Sequence, residues 1–248
     1  MPTTTIHFVR HGKVYNPNHL LYERLPGFHL SDRGMRMAQA TGAYIAADPK
    51  LNTVAAVYSS PLERTRETAG AILDALNPVR AGRGEEPLEL ITDPRVIEAG
   101  NEFRGKRIGT WQGRAVARRQ LEARAQPVEA ELGRAVPAHR RTRGRVRERE
   151  DREYAGRQII VVSHESPIWS YRHLLETGHP EHWMFLRKTA LASITSITYD
   201  SDTGKVMSIT YADLRRKSSE CGVRRPYNTQ RGRCGLAAKR WRMRRGPG

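Results

Sequence analysis
At 248 residues the chain can bury a full α/β core as one domain, with room for an elaborated loop. No apolar stretch approaches the roughly 20 residues needed to span a bilayer, and two cysteines, Cys221 and Cys234, exclude a disulfide framework. The net charge of +17 ordinarily points to nucleic acid, but residues 104–157 hold 16 Lys/Arg against 7 Asp/Glu and residues 214–248 hold 12 against 1, leaving a mildly acidic remainder of 15 against 18.

The first strand is predicted over residues 5–9. A helix follows from Asp32 to about Ala47, capped by Ser31, with Met35, Ala38, Gly42 and Ile45 along one face. Residues 54–58 read as a short buried strand. Ser60, Pro61 and Glu63 have the spacing of an N-cap, a first-turn proline and a capping box, so a helix should start at Pro61. Leu62, Ala69, Ile72, Leu73 and Leu76 then share its apolar face. Residues 88–91 are a weaker strand and 159–163 a stronger one, after which Ser166-Pro167 repeats the cap-plus-proline start of a helix reaching about Leu175. Residues 194–199 and 205–211, joined across Ser201-Asp202-Thr203-Gly204, pattern as an edge hairpin. Strand–helix alternation predicts an α/β three-layer sandwich: a mostly parallel sheet, helices on both faces and an antiparallel edge hairpin. There is no internal repeat.

His11 closes the first strand and His164 closes the strand at 159–163, where open α/β sheets bind ligands beyond the carboxyl ends of their strands. Each histidine alone also suits a structural role. Arginine changes the reading, because a phosphoryl group in flight needs forked donors of fixed charge. Arg10 precedes His11, and Arg64 lies in the first turn of the helix after Pro61, whose amino terminus adds oriented backbone donors. Taken alone, Arg64 would pass for a solvated helix arginine.

Arg10-His11-Gly12, the run Ser59-Ser60-Pro61-Leu62-Glu63-Arg64 with Thr68-Ala69, and Ser163-His164 together resemble the histidine phosphatase superfamily, in its phosphoglycerate mutase-like branch. Leu30-Ser31, Gly34 and Ala38-Gln39-Ala40 are similar to that family's first helix. The likeness covers residues 5–110 and 158–212. It implies attack by His11 on phosphorus, a phosphohistidine intermediate and its hydrolysis, with Arg10, Arg64 and His164 binding the phosphoryl oxygens. It also implies a carboxylic acid that protonates the leaving group, for which Glu98 falls at the matching place and Glu102 is the nearest competitor. Asn16 corresponds to a substrate-contacting asparagine, although its loop is one residue short. Lys13 stands where glutamate is common. Glu165 stands where many relatives have glycine, and is read as a helix-start acid pointing away from the phosphate, the alternative being an inward carboxylate that repels it. The resemblance requires no metal or other cofactor.

Residues 111–157 are arginine-rich and almost without periodicity. Gln126 to Val136 can be encoded so that another frame reads Asn-Pro-Trp-Lys-Pro-Ser-Trp-Gly-Glu-Pro-Tyr, similar to a pocket loop of relatives. A frame-shifted loop and a divergent, partly helical insertion are both open, and the nucleotide sequence decides between them. Residues 213–248 read as a basic, disordered tail. The expected function over residues 1–212 is a phosphomonoesterase acting on a small phosphorylated metabolite in the cytoplasm, since the opening residues lack a secretory signal pattern. Phosphoglycerate mutase-type transfer, an impaired relative, and an anion or nucleic-acid binder using the basic segments are the alternatives. Oligomeric state is left open.

Overall fold
The computed structural model describes residues 2–100, 104–107, 154–179 and 187–214. Strands β1 (Thr3–Arg10), β2 (Ala56–Ser59), β3 (Leu90–Thr92), β4 (Gln158–Ser163), β5 (Ile194–Asp200) and β6 (Val206–Ala212) form one sheet in the order β3-β2-β4-β1-β5-β6. The pairs β3–β2, β2–β4 and β4–β1 are parallel, while β1–β5 and β5–β6 are antiparallel. The mostly parallel sheet with an antiparallel edge hairpin is therefore as the residue pattern predicts. The hairpin turn is held by Asp200, whose side chain accepts from the amides of Asp202 and Thr203 at 3.0 and 2.8 Å.

Burial on both faces follows from strand alternation. Ile6, Phe8, Ile159, Val161 and Ile197 pack on one side with Ile168 and Tyr171 of helix α3 (Glu165–Thr177). Val9, Val57, Ile160, Val162 and Ile194 pack on the other with Ile45 of α1 (Asp32–Ala47) and Ile72 and Leu76 of α2 (Glu63–Ala81). Three layers result. The register sets Arg10 opposite Ser163, so His11 and His164 leave adjacent strands side by side although 153 positions separate them in the chain.

Helix α1 starts as expected, with the Ser31 side chain accepting from the Gly34 amide at 3.1 Å. The next two helix starts differ. Helix α2 begins at Glu63 with Leu62 as its N-cap, and Glu63 accepts from the Gly27 amide instead of closing a capping box. Helix α3 begins at Glu165 with His164 as its N-cap, two residues before Ser166, the serine predicted to cap it. Leu88 precedes β3 because its amide and carbonyl are both taken by the Asn77 side chain, at 2.9 and 3.1 Å. Most of the atypical stretch at 111–157, Glu102 and the basic tail beyond Leu214 lie outside the described residues. Tyr154, at the end of that stretch, does enter the core, 8% exposed and hydrogen-bonded to Tyr58 at 3.1 Å.

Two glycines let the His11 loop touch α1. A β-carbon on Gly12 would overlap the Gly34 carbonyl, and one on Gly34 would overlap the Lys13 carbonyl. Helix propensity alone would make Gly34→Ala stabilising by about 1 kcal/mol. Backbone overlap reverses the sign, and we expect a loss of about 2 kcal/mol. Denaturant midpoints check this, and a raised midpoint would contradict the close approach.

Candidate active site
Each side chain of the site is held by a long-range contact. The His11 amide donates to the Ser163 carbonyl at 3.1 Å, tying the exit of β1 to that of β4. The Gly12 amide donates to the Thr68 hydroxyl at 3.1 Å, and Thr68 in turn donates to the Arg64 carbonyl at 2.7 Å, which fixes the loop against α2. After β3, a single 3-10 turn (Pro94–Val96) is pinned by the Ser163 hydroxyl, which donates to the Val96 carbonyl at 2.7 Å. That contact brings Glu98 towards the ends of β1 and β4.

The two imidazole rings lie 5.2 Å apart, centre to centre, at 62°. His11 Nδ1 is 2.8 Å from the Gly12 carbonyl, which can only accept, so Nδ1 carries the proton and Nε2 of the neutral ring keeps its lone pair. For His164 the order is reversed. Its Nδ1 faces the Arg64 guanidinium at 3.3 Å, a pure donor, so its proton sits on Nε2 and goes to the Ser60 hydroxyl at 2.9 Å. This is why Ser60 does not cap α2: its hydroxyl is used across the sheet.

Arg64 is fully buried. One Nη2 bond goes to the Glu23 carbonyl, and the guanidinium stands 4.9 Å above the Tyr22 ring. Its Nε and Nη1 find no hydrogen-bond partner among the described residues, nor does Nε of Arg10. Arg10 Nη1 donates to Glu165 at 2.7 Å and to the Thr189 carbonyl. Glu165 thus faces the site, correcting the expectation that it points away. Its first-turn position leaves the carboxylate beside the exit of β1, where Arg10 captures it.

Burial pushes both catalytic candidates His11 and His164 well below the ordinary histidine range, and the charges of Arg64 and Arg10 push the same way. Burial raises Glu98, with the Ala99 amide at 2.9 Å and Arg64 opposing it. The Glu98 backbone carbonyl accepts from Arg24. Asn16 shapes its own loop. Its amide closes a turn, donating to the Leu20 carbonyl at 2.8 Å and accepting from the Leu20 amide at 3.0 Å. The loop it shapes supplies Tyr22, Glu23 and Arg24, which sequence reasoning missed. Nothing local marks them, because they act through the aromatic face, a carbonyl and a remote carbonyl partner. Among the described residues, no group of three or more His, Cys, Asp or Glu could hold a metal ion, and no helix is long and apolar enough to cross a membrane.

A pH dependence of stability follows. His7, His11 and His164 all have folded-state pKa values lowered from 6.5. The unfolded chain therefore binds protons that the fold refuses, so stability is complete above about pH 6.5 and falls as pH drops towards the lowered values. Each such group contributes up to about 1.4 kcal/mol per pH unit within its window. Glu98, with a raised pKa, acts in the opposite direction on its own. We expect Tm to fall between pH 7 and 5, with a shallower fall in His164→Asn. A flat profile would contradict burial of neutral imidazoles.

A mostly parallel sheet whose carboxyl edge gathers two buried imidazoles, the buried guanidinium of Arg64 and the partly buried one of Arg10 defines an α/β protein with a histidine–arginine cluster. The chain belongs to the histidine phosphatase superfamily (branch 1), whose family profile matches residues 6–211. It is 36% identical over 215 residues to the uncharacterised protein Rv0525 of Mycobacterium tuberculosis, covering 84% of this chain and 96% of that one. It is 25% identical over 209 residues to the 2,3-bisphosphoglycerate-dependent phosphoglycerate mutase of Thermoplasma acidophilum, covering 81% and 89%. The fold is similar to that of a mycobacterial glucosyl-3-phosphoglycerate phosphatase solved with VO3, at TM-score 0.57 and 20% identity, covering 78% of this chain and 92% of that one.

Proposed function
We propose that the protein is a phosphomonoesterase that hydrolyses a small organic phosphate through a phosphohistidine at His11. One observation carries this reading: a buried guanidinium, Arg64, keeps two donors without partners beside an imidazole whose Nε2 lone pair is free. Burying an unpaired cation costs several kcal/mol, and a bound phosphoryl group offsets that cost.

Nε2 of His11 attacks phosphorus, forming the N–P bond as the ester P–O bond breaks. Arg10 and Arg64 hold the equatorial oxygens, where charge is spread in the transition state. The negative charge of the phosphoryl group raises the proton affinity of His164, so its Nδ1, unprotonated in the free site, takes up a proton from solvent as the substrate binds and then donates to an oxygen of the same group. Glu98 delivers its proton to the leaving alkoxide, and its carboxylate then takes a proton from the water that cleaves the N–P bond. Asn16 serves this chemistry by shaping the loop that supplies Tyr22 and Arg24. The steps need no metal or other cofactor, and the partner is a small phosphorylated metabolite.

Phosphoryl transfer between phosphoglycerates is the second reading, favoured by the likeness to the Thermoplasma mutase. The test is alkaline quenching, in which a phosphohistidine survives, after mixing the protein with a 32P-labelled phosphate ester. We expect label on His11, with release of inorganic phosphate. Label that passes to added phosphoglycerate instead of water supports the mutase. A folded protein that acquires no label from a broad ester panel overturns both and leaves an impaired relative or an anion binder.

A further inference from the structure
We infer that Glu165 is a specificity-determining residue that restricts the site to phosphate monoesters of neutral or cationic alcohols and rejects those carrying a second anionic group. This rests on the phosphatase reading. The Glu165 side chain is about one-third exposed (33%), and its Oε1 lies 2.7 Å from Arg10 Nη1, so the carboxylate sits between one of the two phosphoryl-binding arginines and solvent. Its Oε2 has no hydrogen bond to a described residue, which leaves one acceptor for an incoming group. The phenol of Tyr22, on which Arg64 stacks, lies within the fields of Arg64, Arg10, Glu98 and Glu165 together. These charges therefore lie around the same Tyr22 ring, with the Glu165 carboxylate on the Arg10 side.

The consequences differ by substrate. The phosphoryl oxygens can use the free Nε of Arg10 and the free Nε and Nη1 of Arg64 while Arg10 Nη1 stays with Glu165 and the Thr189 carbonyl. A second carboxylate or phosphate on the alcohol would meet Glu165, and like charges at a few ångströms repel strongly where water is partly excluded. An ammonium or hydroxyl in the same place would instead meet the unpartnered Oε2. Arg24 and Arg187 are further guanidiniums near Glu98, and Nε of Arg24 is committed to the Glu98 carbonyl.

The test compares 2-aminoethyl phosphate, glycerol 1-phosphate and 3-phosphoglycerate in the full-length protein and in Glu165→Gln. The amide carbonyl of glutamine still accepts from Arg10, so the guanidinium keeps its seat. Wild-type kcat/KM should rank aminoethyl over glycerol over glycerate ester. The ratio of the first to the last should fall at least about ten-fold in Glu165→Gln, and by less in 1 M salt. Affinities of the same three ligands for His11→Asn, with and without Glu165→Gln, should show the same ordering without turnover. An equal loss for all three ligands would make Glu165 a positioning residue for Arg10 and overturn the inference, as would an unchanged ratio. Absence of hydrolysis with the binding order intact would sink the phosphatase reading and not this one.

Discussion

His11→Ala should lose at least about 10⁴-fold in kcat for any phosphate ester, because it removes the imidazole whose Nδ1 is anchored on the Gly12 carbonyl and whose Nε2 takes no hydrogen bond from a described residue, whereas the unprotonated Nδ1 of His164 is occupied by Arg64. The fold and the anion affinity should survive in this variant. Arg10 and Arg64 still supply the donors, so inorganic phosphate or vanadate should still raise its Tm. Quenched reactions should contain no phosphoprotein. Residual label on His11→Ala would transfer the nucleophile to His164, whose Nδ1 is the only other imidazole nitrogen facing Arg64 among the described residues.

Glu98→Gln should separate leaving groups. An alkyl ester leaves as a strongly basic alkoxide and needs the proton, so its hydrolysis should drop about 10²–10⁴-fold. An aryl ester leaves as a weak base and should lose far less. The pH profile carries the same signature. The proton must be on Glu98, whose pKa burial raises, so wild-type alkyl ester hydrolysis falls as pH climbs through that raised value. In Glu98→Gln this limb disappears. The residue that competes for the role, Glu102, supplies the control: a selective alkyl-ester loss in Glu102→Gln, with Glu98→Gln unaffected, would move the acid to that position.

The helix starts show how far local pattern reaches. Ser31 caps α1 as read, since both capping atoms lie within three residues. Ser60 has the same local credentials, yet its hydroxyl receives the His164 proton from 104 positions away, and α2 starts two residues later than Pro61. Glu165 has the composition of a helix-start acid, but its sense changes once Arg10 is its neighbour across the sheet. Asn16 reads as a ligand contact, and its amide also folds its own turn, because the Leu20 backbone offers both a donor and an acceptor within reach. Tyr22 and Arg24 carry no motif at all.

The order of strands and helices was determined by sequence alone, as was the choice of Arg10, His11, Arg64, His164 and Glu98 as candidate site residues. Hydrophobic periodicity and short-range spacing are properties that neighbouring residues express without help from the rest of the chain. Which nitrogen of each imidazole holds its proton, which donors of Arg64 stay open, and that Glu165 turns towards Arg10 were decided only by tertiary structure. Those outcomes depend on β4 inserting between β2 and β1, which sets groups 100 and 104 positions apart within hydrogen-bond reach and away from water. Proton position and charge pairing respond to distance in space, and distance in sequence does not contain it.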